Sequence, residues 1–186
     1  MEKLQKFFAF MVFAFCGIVF GIDAGNAPAS FPKISEVKTK QKKENLIQNV
    51  EIAYSLGTLS GAILFLALKK KKKLLFYVAD GVIVIGCALL FWGKKEGLMY
   101  LARFMVGLGC SLLTILAPIL ASEVWPDTLD VLATAGICYQ FGQILSEAFD
   151  TVYACHLSIS HSLVIQTHIL EIFNHTVYLF YDSDVL

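Results

Sequence analysis

Residues 98–126, LMYLARFMVGLGCSLLTILAPILASEVWP, decide how this chain folds. The run is apolar and helix-length. It carries Arg103 near its start, Gly107 and Gly109 just after, Pro118 two-thirds along and Glu123 at its end. An arginine in the middle of an apolar span costs about 2.5–3.5 kcal/mol even by insertion-based measures. A chain keeps one there for a partner or a task. About 20 residues at a rise of about 1.5 Å cross the hydrocarbon core of a bilayer, and this run is long enough. A charged, glycine-bearing, proline-interrupted span suggests a pathway rather than a passive anchor.

The rest of the chain has the same character. Hydrophobic residues make up 57% of it, well above the share in ordinary soluble domains. The 15 basic and 15 acidic residues cancel, so charge argues for no nucleic-acid partner. Charge placement says more. Lysines fall in blocks between apolar runs: Lys38, Lys40, Lys42 and Lys43 in one gap, Lys69 to Lys73 in the next, Lys94 and Lys95 in a third. Soluble amphipathic helices interleave charge every few residues, and these runs do not. The chain reads as an all-α, multi-pass membrane protein embedded in a lipid bilayer. The five cysteines, Cys16, Cys87, Cys110, Cys138 and Cys155, are scattered with no paired spacing, and they read as small buried hydrophobes.

Five spans can be drawn, at about 7–30, 46–68, 74–92, 98–121 and 131–152, with the gap Phe31–Asn45 and the shorter gaps after it as surface loops. Lysine counts on the two sides of such a topology tie, so the positive-inside rule gives no orientation. The first span has a rival reading as a signal peptide: Lys3 and Lys6 as a basic n-region, Phe7–Phe20 as an apolar core, and Gly25-Asn26-Ala27 as a small-residue exit. Its length beyond a typical signal core and the four spans that follow favour a membrane helix.

Residues 153–186 form a divergent tail. It holds all four histidines, His156, His161, His168 and His175, and no lysine or arginine. Residues 157–181 are apolar but studded with polar groups, including Glu171 and Asn174, and make at best a poor sixth span. His161, His168 and His175 share one helical face, yet a spacing of seven separates them by roughly 10 Å. No metal site is expected from them, and no cofactor. Asn174-His175-Thr176 is a glycosylation sequon, meaningful only if this end is lumenal.

Asp23 is the acid of the first span. If consecutive spans alternate in direction, the first and fourth run antiparallel. Asp23 then lies roughly 8 Å past the middle of its span, and Arg103 roughly 10 Å before the middle of its own, toward the same side. At nearly matched depth the two can pair, which offsets the desolvation of each. Two readings stand: a static ion pair joining two helices, or a titrating pair on a water-filled path. Small residues at four-residue spacing, Gly17, Gly21 and Gly25, then Gly57 and Gly61, permit close helix packing. Pro118 removes one backbone hydrogen bond and predicts a kink in the fourth span.

Phe20-Gly21-x-Asp23-x-Gly25, followed by Arg103-Phe104-x-x-Gly107-x-Gly109, Pro118 and Glu123-Val124-x-Pro126, resembles the sugar-porter branch of the major facilitator superfamily. The resemblance covers roughly residues 7–150 and implies a partial helical bundle (residues 1–152), the first five of twelve helices. It also implies a function: movement of a sugar and a proton by alternating access. Asp23 matches the first-helix acid of proton-coupled symporters, and Arg103 matches its fourth-helix partner. Glu123 matches the cytoplasmic-end acid that latches the helices. Gln140, in Tyr139-Gln140-Phe141-Gly142, matches the sugar-binding glutamine of the fifth helix after a two-residue shift. The family's orientation places the N-terminus and Lys69–Lys73 in the cytoplasm. It does not distinguish a plasma from a vacuolar-type membrane.

The departures are specific. The family's Gly-x-x-x-Asp-Arg-x-Gly-Arg-Arg loop keeps only its basic run here, with Phe65, Leu66 and Leu68 at the Asp, Arg and Gly positions. Asp130 stands where an arginine follows the fourth helix, and the signature after the sixth helix is missing. The first two of these changes remove partners of the latch. Two alternatives to autonomous transport follow: a truncated product without transport activity, and a half-transporter that pairs with a second copy or a full-length relative through its glycine faces. No nucleophile–base constellation supports an enzyme, and no catalytic residue is expected.

Overall fold

A computed structural model describes residues 14, 16–18, 21, 37–92, 95–124, 136–144 and 148. Three long helices are described: α1 (Lys40–Leu68), α2 (Lys72–Trp92) and α3 (Glu96–Val124). They correspond to the second, third and fourth expected spans. Residues 14, 16–18 and 21 of the first span are also helical, as are 136–144 and 148 of the fifth. Among the described residues there is no strand. The tail lies outside the described residues.

α1 begins six residues before the expected Leu46, so part of the gap expected to be a loop is helical. Apolar composition marks where a chain enters hydrocarbon, and a helix need not stop there. Its 29 residues extend for about 44 Å, against a hydrocarbon core of about 30 Å. The extra turn and a half, Lys40–Asn45, is built from good helix formers up to Glu44, with Lys40 and Glu44 3.9 Å apart at i,i+4. The α1–α2 connection is a turn in the lysine block, where the Lys71 N–H donates to the Leu68 carbonyl at 2.8 Å. α3 starts with Glu96 in its first turn, where a negative charge suits the helix dipole. It continues through Pro118 for six further residues.

α3 is the central element, with α1 on one side and α2 on the other, while α1 and α2 barely touch. The contacts give the directions. Gly57 lies against Phe104 and Gly61 against Leu108, so α1 and α3 run parallel. Gly86 lies against Ala102 and Gly109 against Ala79, so α2 and α3 run antiparallel. This is the alternation expected of consecutive spans.

The main core gathers Leu75, Phe76, Ala79, Ile83 and Cys87 of α2 with Val106, Cys110, Leu112, Leu113, Leu116 and Ala117 of α3, and includes Cys16 of the first span. Leu46, Val50 and Met99 form a second cluster. Cys16, Cys87 and Cys110 are buried, in keeping with their reading as small hydrophobes, while Cys138 is half-buried. Away from α3, α1 displays Ile52, Leu56, Leu59, Ile63 and Leu66, each more than half exposed, on one continuous stripe. Water penalises such a face and a bilayer does not. α1 and the Glu96–Ile119 part of α3 are each long and apolar enough to cross a membrane, and α2 contributes a shorter apolar stretch, Leu74–Leu90.

Candidate functional site

The site is built around Arg103, in the second turn of α3. It is 4% exposed, so its charge is almost wholly withdrawn from solvent. Its guanidinium carbon lies 5.0 Å from the centroid of the Tyr54 ring on α1. At that distance the negative face of the ring attracts the cation, worth about 2 kcal/mol when both are desolvated. A planar guanidinium stacks in this way where a compact lysine ammonium fits less well.

Local sequence explains how the two side chains meet. A Cβ on Gly57 would overlap the Phe104 carbonyl, and a Cβ on Gly107 would overlap the Tyr54 carbonyl. The glycines are therefore reciprocal: each helix is small where the other presents backbone. That seam brings the parallel helices into contact one turn from Arg103, which places Tyr54 beside it.

A second buried charge-bearing side chain sits on α2. Asp80 is 7% exposed and flanked by the buried Ala79 and Ile83. From the contacts of Gly86 with Ala102 and of Gly109 with Ala79, Asp80 lies level with about residue 108 of α3. That is about 8 Å along the axis from Arg103. Sequence reasoning passed over Asp80. The signal was present, because it is the only charged residue in the apolar run 74–92, and the rule that picked out Arg103 applies to it equally.

The first span also meets residues 136–144. A Cβ at Gly21 would overlap the Tyr139 carbonyl, and one at Gly142 the Ile18 carbonyl, so the two backbones touch. On this segment the Gln143 side-chain amide donates to the Tyr139 hydroxyl at 3.1 Å, and both residues are half-buried. Gln140 is exposed and lies about 200° around the helix from Gly142. Asp23, expected to pair with Arg103, lies outside the described residues, as does Asp130. Glu123 falls in the last turn of α3, and its side chain lies outside the described residues.

A family model described as sugar (and other) transporter matches residues 9–160. The chain belongs to that family. The match spans the first span, α1, α2, α3 and the 136–144 segment, which is the region expected from the sugar-porter motifs. No curated protein and no solved structure matches the chain. Sugar transporters are membrane proteins, which agrees with the apolar stripe of α1. Membership makes movement of a sugar or another small solute the ancestral activity, in a family of transporters rather than enzymes.

Proposed function

We propose that the chain moves a sugar or a similar small solute across a membrane by alternating access, with proton movement coupled through Asp23 and Arg103. The observation that carries this reading is Arg103 itself. It is a single arginine, almost wholly enclosed in an apolar bundle, at the position where proton-coupled relatives keep the partner of a first-helix acid. A cation held there binds a carboxylate strongly when the acid is ionised and releases it when a proton neutralises the acid. Coupling follows if one of those two states favours opening to one side of the membrane.

Within this reading Gln140, which is exposed, is available to hydrogen-bond a solute hydroxyl, and Glu123 latches the cytoplasmic ends of the helices. In this reading the bundle crosses the membrane five times, or six if the apolar run 157–181 adds a span. A helix pair packed through glycines, like Gly57 and Gly107, suits helices that rock against each other.

Uptake of labelled hexose into proteoliposomes tests the proposal, with an inward proton gradient imposed on wild type and Asp23→Asn. The wild type should accumulate sugar above equilibrium, and the variant should only exchange it. Accumulation that survives Asp23→Asn would remove the coupling role. The absence of uptake by the reconstituted full chain would remove autonomous transport.

A further inference from the structure

Arg103 has a neighbour that no transport motif in this sequence assigns. We propose that Tyr54 is the positioning residue for Arg103: its ring face holds the guanidinium inside the bundle whatever the charge of the carboxylate that Arg103 meets. For its role in transport the inference rests on the coupling reading above. Its geometry stands apart from that reading.

Three observations converge on it. The guanidinium is 5.0 Å from the ring centroid, within the range where a cation is attracted to an aromatic face. Arg103 is 4% exposed, so water does not compete for its charge. The contact is also built into the backbone, because the Tyr54 carbonyl occupies the space that a side chain on Gly107 would fill. Tyr54 therefore lies against α3 by helix packing and need not swing in from solvent.

The chemistry fits a coupling site. An arginine paired only with a carboxylate loses its counter-charge whenever that acid is protonated, and a bare cation in an apolar interior is costly. An aromatic face attracts the cation without carrying a charge of its own and without taking up a proton. It keeps the guanidinium at one place through both states of the acid.

Arg103 is the only arginine in the chain, so isotopic labelling of arginine reports this residue alone. The test is the guanidinium NMR spectrum of the labelled full-length protein in lipid bilayers, for wild type, Tyr54→Phe, Tyr54→Leu and Asp23→Asn. Stacking on a ring moves the guanidinium proton signals upfield. Wild type and Tyr54→Phe should share that shift, Tyr54→Leu should lose it, and Asp23→Asn should keep it. Loss of the shift in Asp23→Asn would mean that the carboxylate, not the ring, positions the arginine, and would overturn the proposal. A Tyr54→Leu spectrum like that of wild type would overturn it too. A ring that only filled space beside the arginine, without facing its guanidinium, would give no upfield shift in wild type or in Tyr54→Phe, and that result too would overturn the proposal. Hexose accumulation measured on the same proteins separates the two ideas: absent uptake with the NMR pattern intact defeats the transport reading and leaves the positioning role standing.

Discussion

α1 and α3 are both 29 residues long and run parallel, yet they live in different surroundings. α3 is enclosed on two sides, by α1 and α2, and buries residues along nearly its whole length. α1 buries one narrow stripe through Leu46, Val50, Gly57 and Gly61, and presents large apolar side chains to the outside. The buried cation sits on the enclosed helix, while the exposed helix supplies the aromatic face that receives it. Charge is placed where protein, rather than lipid, surrounds it. The cost of an intramembrane ion falls steeply once polarisable groups and partners replace hydrocarbon.

The largest expected effect tests the outer face of α1. Leu59 is 59% exposed and lies near the middle of the apolar part of the helix. Leu59→Lys should disfavour insertion by about 3 kcal/mol, or about 100-fold in the insertion equilibrium. Glycosylation mapping of α1 insertion in microsomes reads this directly. Unchanged insertion would mean that the stripe faces water or protein, and the contrast between the two helices would fail.

A smaller effect tests the seam that joins them. Gly57→Val would drive a side chain into the Phe104 backbone, which cannot give way as a flexible side chain would. Destabilisation by about 1–3 kcal/mol is expected, seen as an earlier midpoint in denaturing-detergent unfolding. Gly81 on α2 is the control, since a Cβ there would meet nothing within 4 Å. Gly81→Ala should be neutral, or stabilising by up to about 1 kcal/mol through lost backbone freedom in the unfolded chain. Equal behaviour of the two variants would show that α1 and α3 do not pack through backbone contact.

These helices also show how far the sequence could be read. The apolar runs of α2 and α3 were legible to within a few residues, because bilayer thickness and polar flanks constrain both ends. Arg103 was legible because its burial is so costly. Tyr54 was not, since a tyrosine one helix away becomes its neighbour only through the register that Gly57 and Gly107 impose. Residues 139–143 carry the same lesson. Gln140 and Gln143 are equally polar in sequence, and only the rotation fixed by Gly142 against the first span exposes one and half-buries the other. Asp80 was legible by charge alone, as the one charged residue in the apolar run 74–92.

The smallest effect lies at the start of α1, where apolar composition gave no sign of helix. Thr39 is the N-cap, and its carbonyl accepts the Lys43 N–H at 3.0 Å, but its side chain makes no capping bond. There is no acidic residue in the first turn to oppose the exposed N–H groups, whereas α3 has Glu96 there. The Lys40–Glu44 pair is too solvent-exposed to supply much, at about 0.5 kcal/mol or less. This turn is therefore the least supported part of α1, held mainly by continuity with the membrane helix beyond it. Thr39→Asp would place a strong acceptor and a negative charge at that end, adding about 1 kcal/mol. Amide exchange at residues 42–45 should slow about five-fold, with the rest of α1 unchanged. Exchange that stays fast would mean that the turn opens from inside the helix, and that α1 becomes firm only where its apolar stripe begins.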